Sequence, residues 1–239
     1  MSEKIKVSDI AKMIDHSILH PTFSDIDLKR ECEIAKKYNV ATVCVKPFHT
    51  KMASNILQAS TVEVCSVIGF PHGNSTIDIK IQEALQVTFY GASEVDMVVN
   101  IGKVLQGDWE YVEKEIFDIN KICIENDAIL KVIFENDFLP SDEFKIRLCE
   151  ICNRVKVAFV KTSTGYGFKK NDSGTYYYDG ATEHDLILMR KHCSSEIQIK
   201  AAGGIRTLED ILRVRKLGVT RVGATATSII MEEASNILG

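Results

Sequence analysis

The chain has 239 residues, 45% apolar and 26% charged, with a formal net charge of −4. These values are ordinary for a globular protein and leave no basic footprint for nucleic acid or an anionic membrane. No uninterrupted apolar run approaches the roughly 20 residues that span a bilayer, and the polar stretch Met1 to Asp9 lacks the apolar core of a signal peptide. The seven cysteines, an odd count without a signal peptide, predict reduced thiols and a cytoplasmic location.

Eight short β-rich runs alternate with helical patterns: Ile14–Leu19, Ala41–Lys46, Val62–Ile68, Glu94–Val99, Ile129–Phe134, Ala158–Thr162, Ile197–Ala201 and Arg221–Ala224. Several are nearly continuous Val and Ile, as expected of parallel strands covered on both sides. Between them, Leu28, Cys32 and Ala35 recur at helical spacing, as do Ile77, Ile81, Ala84 and Leu85. Trp109, Val112, Ile116, Ile119 and Cys123 form a longer stripe. Ser24-x-x-Asp27, Thr182-x-x-Asp185 and Thr207-x-x-Asp210 mark helix starts, and Gly218 marks a helix end. Cys149 and Cys152 form a C-x-x-C inside a helical pattern; with no second pair at metal-ligand spacing, they read as core residues.

Eight strand–helix units in this length predict an α/β fold, a (β/α)8 TIM barrel forming a single domain over 1–239. An open doubly wound sheet is the alternative, but no Gly-x-Gly-x-x-Gly follows a strand to support dinucleotide binding. One connection stands out. Tyr166 to Gly180, after the sixth run, exceeds the usual 2–6 residues and carries three consecutive tyrosines. It is expected to contribute to the mouth of the site.

A barrel's active site lies at the C-terminal ends of its strands. Three lysines interrupt apolar strands there: Lys131 in ILKVIF, Lys161 in AFVKTST and Lys200 in IQIKAAGG. Burial disfavours a charged ammonium, so the lysine pKa values are expected to fall, and a neighbouring ammonium pushes the same way. A neutral lysine amine attacks aldehydes and ketones to form an imine. Lys161 and Lys200, on consecutive strands, are expected side by side. The plainer reading of each lysine is one that snorkels outward or pairs with a carboxylate.

Asp96, in the fourth run, is a candidate proton-transfer partner or a structural ion-pair partner for Lys131 or Lys200. Asp15 and Glu135 are weaker candidates for the same face. Gly203 and Gly204 after the seventh run, with Gly223, Ala224 and Thr225 at the eighth, form a candidate phosphate site of bare backbone N–H groups. Thr164, Cys44 and Lys131 are further candidates for contacting substrate, though Cys44 has no evident histidine partner. No H-x-H, H-E-x-x-H or carboxylate cluster suggests a metal site; His16, His49 and His72 are scattered.

The segments IDHSILHP, ATVCVKP, VCSVIGFPHG, GASEVDMVVNIG, LKVIF, FVKTSTGYG, IKAAGGIRT and RVGAT resemble the deoxyribose-phosphate aldolase family along nearly the whole chain. The resemblance implies that Lys161 is the Schiff-base lysine, Lys200 the second lysine that lowers its pKa, and Asp96 the acid that shuttles protons with water. It also implies that Gly203, Gly204, Gly223 and Ala224 hold the phosphate. It further implies reversible cleavage of 2-deoxyribose 5-phosphate to acetaldehyde and glyceraldehyde 3-phosphate, with no metal or other cofactor, by a cytoplasmic homodimer. A small sugar phosphate is then the partner, with no nucleic acid or membrane.

Three positions depart from the family pattern. GATAT stands where serines are usual, so Thr225 and Thr227 are expected to supply hydroxyls; Asn136 stands where threonine is common, and His20 where lysine is. These changes leave open a lysine-dependent aldolase acting on another phosphorylated sugar. A silent phosphate-binding barrel is the reading from another class.

Overall fold

The computed structural model describes residues 4–239. The first three residues of the expected 1–239 domain, and of the polar Met1 to Asp9 stretch, lie outside the described residues.

Eight parallel strands close into a barrel: β1 (Ile14–Ile18), β2 (Thr42–Val45), β3 (Glu63–Ile68), β4 (Glu94–Val98), β5 (Ile129–Ile133), β6 (Phe159–Lys161), β9 (Gln198–Ala202) and β10 (Arg221–Ala224). The order around the barrel is β1-β10-β9-β6-β5-β4-β3-β2. Each of the eight expected runs coincides with a strand to within one residue at either end, where pairing gives way to a turn. The long connection after β6 is not all loop. It holds a small antiparallel hairpin, β7 (Lys169–Lys170) against β8 (Tyr176–Tyr177). Its turn is closed by the Asn171 side chain, which accepts from Thr175 N at 2.8 Å, and by Gly174 at φ +83°. The Asn-Asp-Ser-Gly run was the signal for it.

Helices surround the barrel and begin where the sequence marks them. The Ser24 and Thr207 side chains accept from the backbones of Asp27 and Asp210, whose carboxylates bond back to the cap residues. Thr182 caps the helix Glu183–His192 in the same sense, without a reciprocal bond. Gly218 takes φ +88° just past the helix Leu208–Lys216, where a side chain would be strained. The helix Ile77–Phe89 departs from expectation. Its buried face is Lys80, Ala84 and Val87, while Leu85 is 40% exposed. Lys80 is fully buried because its ammonium is satisfied by Gly73 O, Val98 O and Glu115 Oε1 at 2.7–2.8 Å. Cys149 and Cys152 are buried in the helix Asp142–Val155, as expected.

The strand pleat sorts the core into two environments. Outward-facing Val95, Met97, Leu130, Val132, Val160, Ile199 and Val222 join the helices in one continuous apolar cluster. The alternate, inward positions on β1, β4, β5, β9 and β10 are charged: Asp15, Glu94, Asp96, Lys131, Lys200 and Arg221. Barrel interiors are usually filled with branched aliphatic side chains. Here ion pairs occupy much of the interior, beside inward Cys44, Cys65, Val67 and Phe159, and the strands read as apolar mainly because of their outer face.

A buried ion pair contributes little over an apolar substitute, but removing one partner strands the other. Lys131 Nζ lies 2.6 Å from Glu94, 2.8 Å from Asp96 and 3.6 Å from Asp15. Lys131→Met should therefore lower unfolding free energy by about 3–5 kcal/mol in urea titrations. A loss below about 1 kcal/mol, the value of a surface pair, would contradict this account.

Candidate active site

The site is built on Asp96, fully buried on β4. Its Oδ2 accepts from Lys161 Nζ at 2.8 Å and from Lys200 Nζ at 2.7 Å, while its Oδ1 accepts from Lys131 Nζ at 2.8 Å. The register explains the convergence. Lys161 is paired with Lys200 across β6 and β9, and Asp96 with Lys131 across β4 and β5. Asp15 extends the network, bonding Lys200 at 2.5 Å and Arg221 at 2.6 Å; Arg221 also reaches Glu94 at 2.9 Å. Lys161 and Lys200 are thus neighbours, as expected; none of the three lysines snorkels outward, and the other half of the plainer reading, pairing with a carboxylate, holds for all three.

Burial alone would lower the pKa of Lys200 and Lys131, as expected from the strands. It does not decide the outcome at Lys200 and Lys131. At Lys200, Asp15 and Asp96 outweigh burial and raise the pKa. At Lys131, Asp96, Cys65, Glu94 and Asp15 do the same. Burial also works against the Asp96 carboxylate, but the ammoniums of Lys131, Lys161 and Lys200 outweigh it and hold it well below the usual range. Isolated lysines in an apolar strand would have lost charge; the inward carboxylates, with Asp96 acting as the ion-pair partner the sequence offered, reverse the sign at Lys131 and Lys200.

A cavity of about 800 Å³ opens above this cluster, with Lys161 in its lining. Thr164, Gly203, Gly204, Gly223 and Thr225 also line it, so the lysine and most of the expected phosphate site share one space. Gly203 and Gly204 hold φ of +90° and +87°, a turn that side chains rarely adopt. A Cβ on Gly203 would meet Gly180 Cα at 2.9 Å, whereas one on Gly204 would meet open space.

Ala224 is paired with His16 on β1 and sends its methyl to the outer apolar cluster, which leaves its backbone as the part able to serve an anion, while Gly223 and Thr225 line the cavity. Two expectations are corrected. Thr227 is turned away, its hydroxyl 2.7 Å from His16 Nδ1. Cys44 and Lys131 are fully buried and outside the cavity lining, Cys44 packing with Leu19, Cys65 and Val67.

His20 lines the cavity, but three other histidines serve elsewhere: His16 bonds Glu31 at 3.0 Å and His49 bonds Asp25 at 3.2 Å, while His72 is exposed. Glu135, at φ +55°, accepts from Thr164 N at 3.0 Å and from the Thr164 hydroxyl, and burial pushes its carboxyl up. It positions Thr164 from behind. Cys44, Cys65 and Asp96, and likewise Asp15, Cys65 and Glu94, offer donor atoms close enough to suggest a cation site, but the Lys131 ammonium already contacts Cys65, Asp96, Glu94 and Asp15.

Sequence reading passed over Glu94 and Arg221, although each lies two residues from an inward position, Asp96 and Gly223, and so shares its face. It also passed over Ser17, Phe23 and Arg206 in the cavity lining, Arg206 directly after the Gly203–Gly204 turn. Among the described residues that line the cavity none is a carboxylate, and Lys161 and Arg206 supply positive charge. Such a lining favours an anionic ligand.

A closed parallel barrel thus presents a lysine amine and glycine turns around one anion-favouring cavity. The chain belongs to the DeoC/LacD family of aldolases, whose family model matches residues 10–229. It is 46% identical over 231 residues to a deoxyribose-phosphate aldolase of Rhodopirellula baltica, covering 97% of this chain and 91% of that one. It is 40% identical over 234 residues to the enzyme of that name from Caldanaerobacter subterraneus, covering 98% and 96%. A solved deoxyribose phosphate aldolase from Aeropyrum pernix, described as tetrameric, superposes with a TM-score of 0.86 at 27% identity, covering 98% of this chain and 94% of that one.

The pKa shifts set a pH dependence. Asp96 and Asp15 are depressed, so their stabilisation is present above the unfolded carboxylate value of about 3.9 and is lost as pH falls toward the folded values. Lys131 and Lys200 are raised, so theirs is present below about 10.4 and lost as pH rises beyond it. The stability difference between wild type and Lys131→Met, measured by denaturation across pH, should be level from about pH 5 to 9 and shrink on both sides. A difference that grows below pH 4 would contradict the assignment.

Proposed function

We propose that this enzyme reversibly cleaves 2-deoxy-D-ribose 5-phosphate to acetaldehyde and D-glyceraldehyde 3-phosphate through an imine on Lys161. The observation that carries the reading is the Lys161 amine bordering the cavity while sharing one Asp96 oxygen with Lys200. Three carboxylates, Asp15, Glu94 and Asp96, face four cationic side chains, Lys131, Lys161, Lys200 and Arg221. Lys161 is the lysine of this cluster that meets the cavity. The curated relatives named deoxyribose-phosphate aldolase support the choice of sugar phosphate.

The chemistry then runs in order. The Lys161 amine adds to the C1 aldehyde, and loss of water gives an iminium that serves as an electron sink. Removal of the C3 hydroxyl proton breaks the C2–C3 bond, its electrons forming an enamine, and D-glyceraldehyde 3-phosphate leaves. Protonation at C2 and hydrolysis return acetaldehyde and the free amine. Asp96 relays protons between Lys161 and Lys200, since the same oxygen touches both, and water completes the path. Gly203, Gly204, Gly223 and Thr225, with Arg206, hold the phosphate, and Thr164 holds a sugar hydroxyl.

The reading includes a single domain over 1–239, acting in the cytoplasm as a homodimer. Seven buried free thiols support a reducing compartment, and the exposed Ile79, Leu85 and Phe89 on one helix support self-association. No helix among the described residues is long and apolar enough to cross a membrane.

Turnover assays over a panel of phosphorylated sugars test the reading. 2-Deoxyribose 5-phosphate should be the best substrate, activity should persist in chelator, and Lys161→Ala should lower turnover about 10³-fold or more. Strict metal dependence, or a better substrate elsewhere in the panel, would overturn it.

A further inference from the structure

We propose that Phe168 and Tyr178, carried at the roots of the β7–β8 hairpin, determine specificity for the phosphorylated end of the substrate, and that Asp137 is the residue that positions them. The proposal rests on the sugar-phosphate reading above and extends it to a segment that the imine chemistry does not use.

The hairpin is fastened at both roots by one side chain. Asp137 follows β5 in the short turn Asn136–Phe138, and its side chain is 1% exposed. Its Oδ1 accepts from Asp179 N at 2.6 Å and its Oδ2 from Gly180 N at 3.0 Å. Across the hairpin, Lys169 Nζ lies 3.5 Å from Asp137 Oδ1 and 2.6 Å from Asp179 Oδ2. The entering and leaving arms are therefore tied to the same carboxylate. The clamp extends inward. Ala181 N donates to Gly203 O at 3.1 Å, and Gly180 presses so closely on Gly203 that neither can carry a side chain.

This anchoring selects one aromatic pair. Tyr176 and Tyr177 are 65% and 42% exposed, with Lys170 and Lys169 over their rings at 5.5 and 5.0 Å. Tyr178, one residue on, lines the cavity and meets Phe168, which borders the same cavity at its rim and is 47% exposed, edge-to-face at 5.4 Å between ring centroids. Its ring edge lies 3.5 Å from where a Gly203 Cβ would sit. The pair thus stands beside the Gly203–Gly204 turn and Arg206. An apolar wall there displaces water from one side of the bound anion, and lower local polarity strengthens its bonds to N–H groups and guanidinium. The C1 end, bonded to Lys161, needs no such wall.

The test separates the two ends of the substrate. Acetaldehyde forms the Lys161 imine and enamine alone, so exchange of its methyl protons in D2O reports the donor half without a phosphate. The double variant Phe168→Ala/Tyr178→Ala should exchange acetaldehyde at the wild-type rate. Its KM for 2-deoxyribose 5-phosphate should rise about tenfold with kcat within about twofold, while the KM for unphosphorylated 2-deoxyribose stays constant. Asp137→Ala should reproduce the KM rise, and Tyr178→Phe should restore wild-type values. An unchanged KM with exchange intact overturns the proposal, and so does loss of exchange in the double variant, which would make the wall structural. Failure of wild type to exchange acetaldehyde overturns the imine reading instead.

Discussion

Everything in this barrel's interior is arranged around the carboxylate of Asp96. One buried group accepts from three ammoniums, and those ammoniums in turn hold the carboxylates of Asp15 and Glu94 in place. Such a cluster has no apolar substitute that would preserve its geometry. Each charge is tolerable inside the barrel because the others are present, so the network is satisfied as a whole or broken as a whole. That interdependence gives Lys161 a fixed position without filling its side of the cavity.

The pleat of the sheet makes this possible at low cost to the fold. Alternation along each strand sends Val95, Met97, Leu130, Val132, Val160 and Ile199 to the helices, where they form the apolar core. The same alternation sends the charged residues inward. Stability and chemistry therefore occupy opposite faces of one sheet. The cavity sits where the inward face ends, at the C-terminal edges of the strands, and the β6 connection adds a second floor above it through the β7–β8 hairpin.

Much of this was legible in the sequence. The eight strand runs, the capping residues at Ser24, Thr182 and Thr207, and the adjacency of Lys161 and Lys200 follow from periodicity and chain order. The sign of the lysine pKa shifts does not, because it depends on Asp15 and Glu94, which reach Lys200 and Lys131 only when the barrel closes. The orientation of Ala224 was lost to the one-residue alternation that sends it out and Gly223 in. Asp137 carries no signal of its own in the sequence. Its role appears only when Asp179 and Gly180, 42 and 43 positions away, return to it.

The central claim is that this charged interior presents one lysine, and not its two neighbours, to a carbonyl group. Incubation of the protein with acetaldehyde and borohydride, followed by mass spectrometry of lysine peptides, tests it most directly. The account predicts an N-ethyl group on the Lys161 peptide, with the Lys131 and Lys200 peptides unlabelled. Label on Lys200 or Lys131 in place of Lys161, or no label on any of the three, would contradict it.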